Sequence, residues 1–158
     1  MSSIAKVKEY LARFGAAGRV MELDHSSATV ELAAQALGVE GARIAKSLSF
    51  HMDEGCMIIV MAGDVKVDNA RFKATFGFKA KMLTADEALA MTGHAVGGVC
   101  PFALPEGVKV YLDESLRRFE TVFPACGSAN SAIELTCDEL AAFTPGSEWV
   151  NVTKLPHA

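Results

Sequence analysis

A pair of apolar runs separated by a short turn most constrains how this chain can fold. Residues 44–52 and residues 56–61 are each long enough for a strand, and the Asp-Glu-Gly sequence at 53–55 is typical of a tight turn. The sequence therefore predicts a β-hairpin. Lys46 lies in its first strand, where a buried ammonium costs free energy unless it reaches solvent or an anion. We therefore take Lys46 as a candidate ligand-binding residue.

Helix and strand signals surround this hairpin without a regular strand–helix–strand rhythm. Apolar residues at helical spacing predict a helix over residues 4–14, and Thr29 is a candidate N-cap for a helix that ends at Gly38. Capping boxes begin at Thr84 and at Thr136. A helix is also expected at 69–76, and short strands are expected at 19–23, 78–83, 108–112, 132–135 and 149–152. This mixture favours an α+β fold over a doubly wound parallel sheet.

The composition is that of a well-filled globular domain. The chain has 158 residues, of which 51% are hydrophobic, so we expect one domain over residues 1–158. The apolar run at 56–62 is far shorter than the roughly 20 residues that span a bilayer. The first residues lack the pattern of a signal peptide. We therefore expect a cytoplasmic protein without membrane association.

The cysteines and the charges exclude several classes of function. None of the four cysteines belongs to a C-x-x-C pair or has a histidine at metal-ligand spacing, so free thiols and no metal are expected. The net charge of −4 argues against a broad surface for duplex DNA. Residues 64–81 nevertheless carry five positive and two negative side chains, whereas residues 131–148 carry four acids and no lysine or arginine. A polyanion is therefore expected near the first of these segments.

A glycine-proline loop at residues 97–102 is the second feature with chemical content. Adjacent glycines allow close approach of the backbone, and Pro101 restricts Cys100 to an extended conformation. Backbone amides in such a loop can bind an anion or a carbonyl oxygen. The motifs of nucleotide cofactors, zinc hydrolases and serine hydrolases are absent, so no cofactor is expected. Lys46 and this loop together predict a ligand that carries a carbonyl and a phosphate.

The order and spacing of these features resemble those of the YbaK and prolyl-tRNA synthetase-associated editing domains. The resemblance rests on Lys46 in an apolar strand, Gly63-Asp64, Thr92-Gly93-His94, the Gly97-x-x-x-Pro101 loop and Cys126-Gly127-Ser128. It extends from about His25 to the helix at residues 138–140. It implies a central mixed, barrel-like β-sheet flanked by short helices. It also implies a free-standing hydrolase that removes a wrong amino acid from tRNA without a cofactor.

The resemblance assigns roles to individual residues. Lys46 is expected on the phosphate of the terminal nucleotide, while the loop holds the aminoacyl ester for attack by water with help from a substrate hydroxyl. The loop residues in question are Gly97, Gly98, Val99, Cys100 and Pro101. Further candidates for substrate binding are His25, Thr29, His94, Gly127, Ser128 and Asn130. For His94 a structural or solvated role is the favoured alternative, and Ser128 and Asn130 equally suit a turn before a strand. The expected substrate is proline tRNA mischarged with alanine, serine, threonine or cysteine, bound by its acceptor end.

Two alternatives of a different class stay open at this point. Cys100 lies beside a candidate oxyanion loop with His94 nearby in sequence, so it is either a thiol nucleophile or a small part of the pocket wall. The basic segment at 64–81 also fits a module that binds tRNA or a synthetase without catalysis. Prolyl-tRNA synthetase is accordingly a second candidate partner beside mischarged tRNA.

Overall fold

The structure is a computed structural model that describes residues 2–156, so residues 1, 157 and 158 of the expected domain lie outside it. Its α-helices are α1 (Ser3–Ala12), α2 (Val30–Leu37), α3 (Asn69–Phe76), α4 (Ala85–Thr92) and α5 (Cys137–Ala142). Its strands are β1 (Met21–Glu22), β2 (Ile44–His51), β3 (Cys56–Ala62), β4 (Lys66–Val67), β5 (Lys109–Asp113), β6 (Thr121–Pro124), β7 (Ser131–Ala132), β8 (Leu135–Thr136), β9 (Glu148–Val150) and β10 (Thr153–Lys154). Short 3-10 helices cover Ala17–Arg19, Gly41–Arg43 and Glu114–Arg118.

A curled, mixed sheet in the order β8-β6-β2-β3-β5-β9 forms the centre of the molecule. Its middle is the predicted hairpin, in which β2 and β3 pair antiparallel from Ala45 opposite Ala62 to His51 opposite Cys56. Every residue of β3 is buried. β6 joins β2 in parallel and β5 joins β3 in parallel, while short helices pack around the sheet. The α+β fold with a central mixed sheet is thus confirmed.

The helices begin where local signals place them. Thr84 and Thr136 form complete capping boxes at the starts of α4 and α5. The Thr29 side chain accepts the amide of Leu32 at the start of α2. A left-handed Gly38 ends α2, as its position after the last apolar residue predicts. These helix starts and stops were predictable because each is made within four residues of chain.

Two predicted strands are wrong as stated. Residues 78–83 form no strand and make a single bridge, between Met82 and Phe50. β2 ends at His51, so it has no further residues with which a longer strand could pair. Residues 132–135 divide into β7, which pairs with β1, and β8, which pairs with β6. Between β7 and β8 the chain switches from pairing with β1 to pairing with β6. The local sequence gives no signal for such a switch.

The outer edge of β2 is paired at its two ends and open between them. At one end Ile44 and Ala45 lie opposite β6. At the other end the carbonyl of Ser49 accepts the amide of Leu83 at 3.1 Å, and the amide of His51 donates to the carbonyl of Lys81 at 2.8 Å. Within residues 2–156, no strand pairs with residues 46–48 on this edge. The sheet therefore has a gap beside Lys46.

Gly63, just after β3, is closely packed beside this gap, so a substitution there tests the packing. A Cβ atom added there would overlap the carbonyl oxygen of Gly41 and approach Val30 Cγ1 to 2.9 Å. We expect Gly63→Ala to lower the free energy of unfolding by roughly 1–3 kcal/mol, measured by urea denaturation, because backbone must move to admit the methyl group. Gly18→Ala is the control, since its added Cβ meets nothing within 4 Å. Equal stability of Gly63→Ala and wild type would contradict this packing.

Candidate functional site

A cavity of about 320 Å³ lies against the open edge of β2. Its wall is built from β2, from α2 and the loop before it, and from the start of α4. The loop at 96–99, the end of β6 with the residue after it, and β7 complete it. Most of the wall is apolar, with side chains such as Val30, Leu48, Val99 and Phe123. Among the described residues that line it, Lys46 carries the only charge. The cavity is therefore an apolar enclosure with one fixed cation.

The Lys46 side chain is held by backbone carbonyls at the margin of this cavity. Its Nζ donates to Val65 O at 2.6 Å and to Gly63 O at 3.3 Å. Burial lowers the pKa of Lys46, while Asp64 and Glu31 act in the opposite direction. An ammonium has three N–H donors, so one is left for a ligand. The cation is thus both fixed in position and incompletely satisfied.

The glycines of the 97–101 loop allow it to touch two neighbouring loops. Gly97 has a φ of +90°, and a Cβ on it would lie 3.1 Å from Ala28 Cβ. A Cβ on Gly98 would lie 2.7 Å from the backbone nitrogen of Ser128. The Gly98 amide itself donates to Ala95 O at 2.9 Å, so this amide is not free for a ligand. Gly97 and Val99 line the cavity, and glycine is required where the loops meet.

His94 lies outside the cavity wall. Its ring is buried, with Nδ1 at 2.5 Å from Ser3 Oγ and Nε2 at 2.8 Å from the carbonyl oxygen of Phe102. Burial lowers its pKa, so the neutral form is favoured. His94 is thus placed apart from the cavity, and its expected part in substrate binding stays a prediction. His94 connects α1 to the end of the glycine-proline loop.

Cys100 is also outside the wall, in contrast to the expectation that it borders the pocket. It is completely buried, with Sγ at 3.5 Å from His94 Nε2 and 3.8 Å from the Phe102 carbonyl. Burial raises the pKa of the thiol to about 12. The thiolate is the reactive form, so burial disfavours the reactive form of Cys100 near neutral pH. Pro101 is likewise buried behind the loop and absent from the wall.

Of the remaining candidate residues, one lines the cavity, one is exposed outside it, and three lie in a turn next to the wall. Thr29 lines the cavity while it caps α2. His25 is exposed and lies outside the wall. Ser128 Oγ donates to Asn130 Oδ1 at 2.9 Å, and Asn130 Nδ2 donates to Leu23 O at 3.2 Å. Gly127, Ser128 and Asn130 thus form a turn that supports the wall, and the neighbouring Ser131 contributes to the wall itself.

Two serines of the wall were missed by sequence reasoning. Ser27 and Ser47 line the cavity, and their hydroxyl groups are buried without a hydrogen-bond partner in the protein. For Ser47 a signal was present, since it is a polar residue next to Lys46 in an apolar strand. For Ser27, which lies in a loop rich in polar residues, the sequence carries no such signal.

Within residues 2–156, no cluster of three or more histidine, cysteine or acidic side chains is arranged to hold a metal ion. None of the helices in that part of the chain has the length and apolar character needed to cross a membrane.

Comparison with known proteins shows close relatives in sequence. The chain is 52% identical over 153 residues to the uncharacterized protein YwhH of Bacillus subtilis (strain 168), a match that covers 96% of this chain and 98% of that protein. It is 29% identical over 104 residues to the proline–tRNA ligase of Halalkalibacterium halodurans. That second match covers 65% of this chain and 18% of the ligase, so the similarity concerns a minor part of the larger enzyme.

Solved structures and the family model agree with each other. A crystal structure whose description proposes a trans-editing enzyme for prolyl tRNA synthetase has a TM-score of 0.87 and 30% identity, and the match covers 98% of each chain. The hypothetical protein APE2540 has a TM-score of 0.83 and 28% identity, over 94% of this chain and 99% of that one. The sequence model of the aminoacyl-tRNA editing domain matches residues 24–143. The chain therefore belongs to the aminoacyl-tRNA editing domain family.

Proposed function

We propose that this protein is a trans-editing deacylase, which hydrolyses the aminoacyl ester of proline tRNA mischarged with alanine, serine, threonine or cysteine. The observation that carries the proposal is that Lys46 and Gly97 lie in the wall of one cavity. Family membership and the similarity to proline–tRNA ligase support an editing role. That one editing domain accounts for residues 1–158 stays a prediction.

Lys46 is the residue that fits the phosphate of the terminal nucleotide. Its ammonium is positioned by the carbonyls of Val65 and Gly63, so little side-chain freedom is lost when a ligand binds. A lysine binds phosphate as a point charge and needs no bidentate geometry. The nearby charges of Asp64 and Glu31 favour the protonated form that this role requires.

The wall supports hydrolysis by water. It contains no cysteine, histidine, aspartate or glutamate among the described residues, so its serine hydroxyls have no imidazole or carboxylate to activate them, and Lys46 is assigned to phosphate as an ammonium. In the proposed reaction, water adds to the ester carbonyl, the bond to the ribose oxygen breaks, and that oxygen takes up a proton. The products are the free amino acid and uncharged tRNA. A hydroxyl of the ribose helps to position the water, and orientation in the cavity supplies much of the rate.

The cavity and its surroundings also fit the size and charge of the substrate. Its volume of about 320 Å³ is at the small end of the range for ligand cavities, which suits a small aminoacyl group. Lys66 is close enough for its charge to lower the pKa of Lys46, and Lys81 directly precedes the wall residue Met82. These positions support an approach of the acceptor end of tRNA along the basic segment at 64–81.

Lys46→Ala tests the proposal. Loss of a charged hydrogen bond to phosphate is expected to lower the rate of deacylation roughly 10- to 100-fold, measured as release of labelled amino acid from mischarged proline tRNA. Lys109→Ala, which removes an exposed lysine of β5 outside the wall, is the matched control and should leave the rate unchanged. Wild-type activity in Lys46→Ala would refute the assigned role. Salt-sensitive tRNA binding with no release of any amino acid would instead support the non-catalytic module.

Cys100→Ala separates this mechanism from a thiol hydrolase. We expect the variant to keep most of its deacylase activity, because no thiol lies in the wall. The pKa of Cys100 is raised to about 12, so at pH 7.5 the folded protein should leave this thiol unmodified by iodoacetamide, whereas urea-unfolded protein should react at all four cysteines. Mass spectrometry of digested peptides gives the readout. Abolished turnover in a folded Cys100→Ala protein would establish the thiol mechanism.

A further inference from the structure

The hydroxyl groups of Ser27 and Ser47 are unusual in this molecule. Of the buried side-chain nitrogen and oxygen atoms in the described chain, these two have no hydrogen-bond partner in the protein. Both residues line the same cavity. Buried polar groups are nearly always paired, and an unpaired one lowers stability unless a ligand or solvent satisfies it. Their common location indicates that the cavity is built to bind a polar group.

The protein holds both serines in fixed positions. Ser47 lies in the open segment of β2, between the pairing of Ala45 with β6 and the hydrogen bond from Leu83 to Ser49. The amide of Ser27 donates to Ala129 O at 2.5 Å, which ties its loop to the turn that supports the wall. The two hydroxyls therefore need little reorganisation to bind a ligand.

Several other polar side chains of the wall are already engaged. Thr29 and Thr84 cap helices, and Ser131 Oγ bonds within the turn at 128–131. Lys46 donates to two carbonyls and is assigned to phosphate. Ser27 and Ser47 are left for the ligand, and a group that both donates and accepts hydrogen bonds matches the hydrogen-bonding capacity of their hydroxyls. An alcohol is such a group, whereas a methyl side chain is not.

We propose that Ser27 and Ser47 determine specificity by binding the side-chain hydroxyl of the substrate, so that seryl or threonyl esters are preferred over alanyl esters. This inference rests on the proposed function. A site that hydrogen-bonds a substrate hydroxyl discriminates strongly against an analogue that lacks it, because its own polar groups are then left unpaired. The apolar remainder of the wall, including Val30 and Val99, can contact the extra methyl group of a threonyl side chain.

The first experiment compares deacylation of proline tRNA charged with serine, threonine or alanine. For wild type we expect kcat/KM to favour seryl over alanyl roughly tenfold or more, and for the Ser27→Ala/Ser47→Ala double variant we expect this ratio to fall about tenfold. Ser26→Ala is the control, since Ser26 is exposed, lies outside the wall and bonds only to the amide of Ala28 in the described chain. Each variant should unfold thermally at the wild-type temperature or above, because the changes remove hydroxyls that lack partners.

The second experiment separates failure of this inference from failure of the proposed function. Binding of stable 3′-amide analogues of seryl-adenosine and alanyl-adenosine is measured by calorimetry. Tighter binding of the seryl analogue, lost in the double variant, supports the inference. Equal binding of both analogues, or an equal loss of both in the double variant, overturns it while the editing function stands, since the serines would then bind a group common to all aminoacyl esters. If the protein binds neither analogue and also fails to deacylate proline tRNA charged with alanine, serine, threonine or cysteine, the editing function itself is refuted.

Discussion

The functional architecture depends on one interruption of backbone pairing, at residues 46–48 of β2. A sheet edge exposes amide and carbonyl groups that must find partners, and in this molecule β6 and the segment at 81–83 provide them on either side of the gap. The cavity lies against the part that neither covers. Lys46 and Ser47 belong to this uncovered part. The charge and the hydroxyl therefore take their positions from the pairing pattern of the sheet.

The wall combines groups that a stable core would avoid. A lysine whose burial lowers its pKa and two hydroxyls without partners are each less favourable than apolar side chains of similar size. The fully buried β3 strand and the apolar cluster around Met57, Ile58 and Ile59 offset them. The editing domain thus places its polar groups where a ligand can satisfy them, and the adjacent core maintains the fold. Such an arrangement is common where binding competes with stability.

Sequence reasoning succeeded where the signal was local. The hairpin and the capping boxes at Thr84 and Thr136 follow from residues within one turn of chain, and the structure has them. The strand predicted at 78–83 failed because a strand requires a partner, and β2 ends too early to provide one. The same limit applies to the site. The sequence of an irregular loop does not show which of its side chains face the cavity. Cys100 was expected to border the cavity, but its side chain is buried behind the wall.

The contacts of Ser3 show that the support of the cavity extends beyond the segment that the family model matches. Gly127 has its α-carbon so close to Ser3 that an added Cβ would come within 2.9 Å of the Ser3 carbonyl oxygen, and Ser3 Oγ bonds to His94. The first turn of α1 therefore contacts the loop at Gly127 directly and, through His94, the end of the glycine-proline loop. The family match nevertheless starts only at residue 24. A version of this protein trimmed to the family boundaries would keep every wall residue and still lose the scaffold that aligns them.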